Sequence, residues 1–335
     1  MTKGTKIFII IICVLLALTM GCSAFFSVSF LQYIDEEVKE KEFGIYVAGV
    51  PVTRSNKDDI LDDGTVHYDS YNNILTFENA TIESENVIVF SMSDLNIELI
   101  GENKFICTSE DYSFGISAAD NNISQNLTIM GDGSLTIDLP NTGSQATGIF
   151  ASDILILSDV TVTTPDCENQ VYGIVCDSSL QLAKKATVTV NNGASKYSSA
   201  VRVRGNALFE QETTLKVSTT SSTSGVCKGL NISGDLFLGK DSSLDVSVDD
   251  KSTDSGECIR ISGLMEIGSG STVKASAKNA HAIECFGTIE ANEGASIYAV
   301  SDKKEADIFC SGAVVNCGAT IDAEIDAIGG IHNRD

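Results

Sequence analysis

Tryptophan is absent from this chain, proline and histidine occur three times each, and 22 lysines and arginines face 46 aspartates and glutamates. Each shortage excludes something. The basic deficit leaves a formal net charge of −24, so the phosphate-neutralising surface that nucleic-acid binding requires is missing. His67, His281 and His332 stand far apart with no Ser or Cys partner in a matching register, which leaves a nucleophilic triad unsupported. No CxxC pair and no His-bearing ligand spacing occurs, arguing against zinc. Without Trp, any carbohydrate-stacking platform falls to Phe and Tyr.

Gly, Ser, Thr, Asn and Asp are plentiful, and short Val/Ile/Leu runs recur between them. That is the composition of many short strands joined by turns. A hydrophobic content of 43% is ample for a core. The all-β class follows. The acidic balance reads first as a solvated exterior, with collection of divalent cations as the sharper alternative.

The N-terminus reads as an export signal. Lys3 and Lys6 precede "IFIIIICVLLALTM", and the apolar character continues to Leu31 before the acidic "DEEVKEKE" at 35–42. A stretch of roughly 20 apolar residues spans a bilayer, and the flanking charges place the body outside. Residues 1–32 are therefore expected to form a transmembrane or signal helix, followed by an acidic linker at 33–43. Three fates stay open: a signal anchor, cleavage after Ala24, or lipid attachment at Cys22 within "LTMGC". The apolar run exceeds the roughly 7 to 15 residues of a signal peptide, which favours the anchor.

An internal repeat sets the architecture. Ile149, Ile174, Val201, Leu230, Ile259, Ile283 and Ile308 recur at intervals of 24 to 29 residues. Two positions after each stands a small or apolar residue, and the position between admits Arg202, Asn231, Arg260 and Glu284. Further apolar pairs follow, as in Leu180/Leu182 and then Val188/Val190. Three short period-2 strands per unit, none able to bury its own face, must stack. The prediction is an all-β, single-stranded parallel β-helix with three strands per coil. A β-sandwich needs no constant three-block register.

Ten cysteines in an exported chain invite a disulfide reading. Cys176, Cys285 and Cys310 share one inward column, where a free thiol acts as a compact hydrophobe. Cys285 and Cys310 on adjacent coils are also within disulfide range. Cys167, Cys227, Cys258 and Cys317 fall near turns or ends.

The stretch 44–82 carries Ile45, Val47, Gly49, Val52 and Thr53, then "DGTV" at 63–66 with Tyr68 and Asp69, then "NILT" at 73–76 with Asn79 and Ala80. It resembles the opening of bacterial surface carbohydrate-binding-domain-containing β-helix proteins, with Phe77 in place of their usual Leu. The resemblance implies a hairpin cap at 44–82, a β-helix body at 83–335, a secreted or membrane-anchored surface location, and glycan binding with calcium assistance. It transfers no binding residue.

The outward column supplies the candidate ligand-binding face: Arg202, Asn231, Arg260 and Glu284, with Arg204 nearby. A lyase on this scaffold would use such a basic group beside calcium-binding carboxylates. Asp249, Asp250 and Asp254 are weak calcium candidates, since "SVDDKSTDSGE" lacks the D-x-D-x-D-G spacing of a strong loop. For hydrolysis, Glu210, Glu212, Asp235, Asp241, Asp245 and Glu266 offer carboxylates of which no pair stands out. Aromatic contributions fall to Phe150, Phe309 and tyrosines 68, 71, 112, 172, 197 and 298. The functional expectation is a carbohydrate-binding or adhesive module. A polysaccharide lyase or glycoside hydrolase and a ligand-free structural stalk are the alternatives. The expected partners are a glycan, the cell membrane through residues 1–32 and, failing a glycan, another protein.

Overall fold

In the strand Thr187–Asn192, Val188 and Val190 are buried while Thr187 and Thr189, which alternate with them, are partly exposed, as a half-buried strand requires. The computed structural model describes residues 42–120, 123–141, 143–220, 225–251, 256–302 and 306–334. Within them the chain is all strand and turn, with no helix. The compact body comprises Phe43–Val52 and Asn56–Asp335, whereas the second unit, Met1–Glu42 with Thr53–Ser55, falls mostly outside the described residues.

Three sheets of 13, 12 and 10 strands, termed I, II and III here, take successive strands in turn. Gln170–Cys176 lies in sheet I, Leu180–Leu182 in sheet II and Thr187–Asn192 in sheet III. The next strand, Tyr197–Val203, returns to pair in parallel with Gln170–Cys176. The body is thus a parallel β-solenoid with three strands per turn.

Antiparallel pairing gathers at its N-terminal end, apart from Ile123–Ser124, which pairs antiparallel with the end of Tyr112–Asp120. Glu42–Val47 and Val50–Thr53 turn at Ala48 and Gly49, with φ of 50° and 82°, the paired left-handed conformation of a tight hairpin. Glu42–Val47 then pairs antiparallel with Val89–Ser91. A second antiparallel pair joins Val66–Asp69 to Ile74–Glu78. Its loop closes on the Asp69 carboxylate, which accepts from the backbone N–H groups of Tyr71 and Asn72 and from Asn72 Nδ2. Those bonds hold the Asp69 carboxyl below its usual range. Parallel register begins at Ile74, which is aligned with Asn96, inside the stretch resembling a cap.

The inward columns follow the repeat read from sequence. Ile149, Ile174, Val201, Leu230, Ile259, Ile283 and Ile308 are cross-strand partners in succession, and all are buried. Truncating any one of them would cost about 2–5 kcal/mol. Cys176, Cys285 and Cys310 are buried in the neighbouring column, and the described cysteines are free thiols. Cys285 and Cys310 are in register, and the hydrogen bond that the Cys285 thiol gives to Cys310, together with burial, pushes the Cys285 thiol far up.

A third column is made of small residues: Gly115, Gly148, Gly173, Ala200, Gly229, Cys258 and Ala282. Each lies one position before the Ile-like start in sheet I. Here sheet I approaches sheet III too closely for a branched side chain, since a Cβ on Gly173 would lie 2.2 Å from Val190 Cγ1 and 2.5 Å from the Ala200 carbonyl oxygen. Cys258 therefore belongs to the core rather than to a turn, with its thiol donating to the Val246 carbonyl at 3.2 Å.

Another recurrent position lies between sheets II and III, where Lys185, Glu212, Asp241, Gly270, Gly294 and Gly318 all take positive φ, from 56° to 84°. Glycine in half of these turns meets that demand without strain.

Gly173→Val should lower stability by at least about 1–3 kcal/mol through overpacking, whereas Ala200→Gly in the same column should cost only about 0.5–1 kcal/mol; urea unfolding midpoints separate the two. Thiol labelling of the native protein, mapped by mass spectrometry, should modify Cys317 and leave the seven buried described cysteines untouched, until denaturant is added.

Candidate functional site

The predicted outward column exists. Arg202, Asn231, Arg260 and Glu284 are successive cross-strand partners in sheet I, bounded by Val175 before and Phe309 after. Beside it runs a second outward column that period-2 counting misses: Tyr172, Ser199, Lys228, Glu257 and His281. The alternation slips by one residue at the small-residue column, giving four consecutive buried positions in Tyr197–Val203. Counting back in twos from Arg202 therefore lands on Ala200, when the outward neighbour is Ser199. The glycine immediately before each Ile-like residue is the signal that could have shown it.

The two columns interlock. Lys228 pairs with Glu257 at 2.7 Å, and Arg260 bridges Glu257 and Glu284, the latter at 3.4 Å. The Arg260 guanidinium also stacks over the Phe286 ring at 4.8 Å. These groups are recessed, with side-chain exposures of 10% for Glu257 and 17% for Glu284. Burial raises the Glu284 carboxyl above its ordinary range, the negative Glu257 raises it further, and Arg260 offsets part of this. Such a network is electrostatically satisfied. The Arg260 guanidinium is thus committed to two carboxylates of the protein itself.

Arg204 sits in the turn after its strand and pairs with Asp177 at 3.0 Å, apart from the face it was grouped with. Arg202 differs from both. Among the described residues no carboxylate lies within ion-pair distance of it, and it borders a 210 Å³ hollow with Tyr172, Tyr197, Ser199, Lys228 and Asn231.

Asp249 pairs with Lys278 at 3.3 Å, Asp250 is buried at the strand end, and Asp254 lies outside the described residues. Among the described residues no group of three or more His, Cys, Asp or Glu side chains is placed to hold a metal ion. Cys22 and the apolar segment 7–31 also lie outside them, and no described helix is long and apolar enough to cross a membrane. Of the tyrosines, Tyr68 is no platform, because it is buried and its hydroxyl donates to Asn73 Oδ1 at 2.9 Å. Tyr71, Tyr112, Tyr197 and Tyr298 are exposed.

A broad concavity lies on sheet III, where the sequence reading placed only the calcium candidate Asp249. A groove of 750 Å³ is lined along successive coils by Thr163, Asn191, Ser218, Ser247 and Ser276, which are cross-strand partners in that order. It adjoins a 560 Å³ hollow bearing Lys274, Asp245 and Tyr298, with Ser276 and Val300 common to both. A buried polar network fixes one wall. Thr164 Oγ1 donates to Asn192 Oδ1 at 2.9 Å, and Asn192 Nδ2 donates to Ser198 Oγ at 2.7 Å. The third sequence block contained this column, in "VTVNN", "KVSTT" and "DVSVDD", as the polar half of an alternation that reads like ordinary solvent exposure.

Compared with known proteins, the chain matches no family model, no curated protein and no solved structure.

The raised Glu284 carboxyl makes stability pH-dependent. The folded state holds this proton to higher pH than the unfolded chain does, so wild type should lose stability relative to Glu284→Gln as pH rises through and above the ordinary glutamate range. Below that range the two should run parallel. Urea midpoints at acid and neutral pH measure the difference.

Proposed function

We propose that this chain is an exported surface β-solenoid whose sheet III groove binds a linear polysaccharide lengthwise. The observation that carries the reading is the in-register row of hydroxyl and amide side chains from Thr163 to Ser276 along the floor of a 750 Å³ groove. Strands stack at about 4.8 Å, a spacing close to the length of one sugar in an extended chain. Each coil can then present one donor–acceptor side chain per sugar. Short hydroxyl and amide groups suit neutral sugar hydroxyls, while Tyr298 at the adjoining hollow adds an aromatic surface. Export and surface display rest on the apolar segment 7–31 and its flanking charges, and the resemblance of 44–82 to surface carbohydrate-binding proteins points the same way.

The test is retention of the full chain, in a sugar-free detergent, on cellulose, chitin, xylan and mannan, with calcium and after chelation. Wild type should be retained on at least one of them without releasing sugar fragments. Ser218→Leu with Ser247→Leu, which fills the groove from outward positions, should weaken retention by about tenfold or more. Loss of retention on chelation would make calcium a participant. Released reducing or unsaturated ends would convert the reading to a glycoside hydrolase or lyase. Absence of retention on every polymer would leave a stalk or a protein-binding surface.

A further inference from the structure

The hollow on sheet I differs in chemistry from the groove on sheet III. On a chain of net charge −24, Arg202 is a cation without a carboxylate within ion-pair distance among the described residues, and it lines a concavity. Lys228, on the same wall, is neutralised by Glu257 at 2.7 Å, and Glu257 is itself held by Arg260. The hollow therefore carries a net charge of about one positive unit, contributed by Arg202. Asn231 neighbours Arg202 in register, and Ser199 neighbours Lys228, so amide and hydroxyl groups stand on the same two coils as the guanidinium. Tyr172 and Tyr197 close the other side, and Tyr197 is 58% exposed.

A planar guanidinium takes a carboxylate through two parallel hydrogen bonds. Tyrosine rings cover the apolar face of a sugar. A volume of 210 Å³ falls below that of sites for drug-sized ligands and suits one ring with its substituents. We infer that this hollow is a binding site for a single carboxylated sugar, a uronic acid, with Arg202 on its carboxylate and Tyr197 against its ring. A single net positive charge matches a monoanion, which favours a carboxylate over a phosphate. The site shares no lining residue with the sheet III groove, so it stands or falls independently of polysaccharide retention there.

The experiment titrates the full chain, in sugar-free detergent, with glucuronic acid, glucose and inorganic phosphate by calorimetry. Glucuronic acid should bind about tenfold or more tightly than glucose. Arg202→Gln should bring it down to the glucose level, and Arg202→Lys, which keeps the charge but loses the fork, should fall between. Tyr197→Ala should weaken both sugars alike, while the Ser218→Leu and Ser247→Leu pair should leave glucuronic acid binding unchanged. Circular dichroism checks that each variant keeps its strands. Equal affinity for glucose and glucuronic acid, absence of binding, tighter binding of phosphate, or an unaffected Arg202→Gln variant would each overturn the assignment.

Discussion

Parallel stacking in register is the constraint on which this molecule depends. Because partner residues in successive coils occupy equivalent positions, a side chain in the core packs on its own counterparts above and below, as Ile174 does between Ile149 and Val201. A shift of one residue would send every apolar group in a strand to the opposite face. Insertions are therefore confined to the turns, and the repeat length varies while the strand positions do not. The same constraint turns any outward position into a straight row of side chains at strand spacing. Grooves on this body are long and shallow as a consequence of how the core is built.

The small-residue column in sheet I modifies that rule in one place. Where Gly148, Gly173 and Gly229 let sheet I approach sheet III, the alternation loses a beat, and two outward columns come to flank a recess in place of a flat face. The recess is what lets Glu257 and Glu284 be mostly covered while remaining on the outward side of a strand. Covered carboxylates demand partners, and Lys228 and Arg260 supply them. A packing requirement between two sheets is thus tied to the electrostatic network on the outward face of one of them, sheet I.

Much of the fold was legible because its signal repeats. One Ile-x-Cys pair proves little, but seven aligned starts with a constant inward column identify stacked strands, and each of those positions is a register partner of the next. The candidate face was legible only in part. Arg202, Asn231, Arg260 and Glu284 share the predicted column, whereas Lys228 and Glu257 stay hidden behind the phase slip. Arg204 was grouped with the face by sequence proximity, yet the chain has already turned there and Asp177 takes its charge. Tyr68 stands among the candidate aromatic surfaces by residue type alone, but the second hairpin folds it inward. The sheet III groove escaped notice for a different reason: Ser, Thr and Asn on an outward column are what any solvated strand displays, and their concave setting is a property of the sheet rather than of the letters.

The contrast between Arg260 and Arg202 carries the functional argument one step further. Both occupy the same column, one coil removed from Asn231 on either side, and both sit on a strongly acidic chain. Around Arg260 the carboxylates are supplied by the protein, so its binding capacity is spent on the fold. Around Arg202 the adjacent positions are Val175, Asn231 and the aromatic Tyr172 and Tyr197, and the nearest mobile positive charge, Lys228, is tied to Glu257. Energetics in a solenoid are nearly local to a coil and its neighbours, so a vacancy for an anion at one coil is not filled by acids several coils away, whose field is screened over about 8–10 Å in physiological salt. The acidic exterior and a cationic hollow are therefore compatible, and the pairing of carboxylates elsewhere on the face is what leaves Arg202 available.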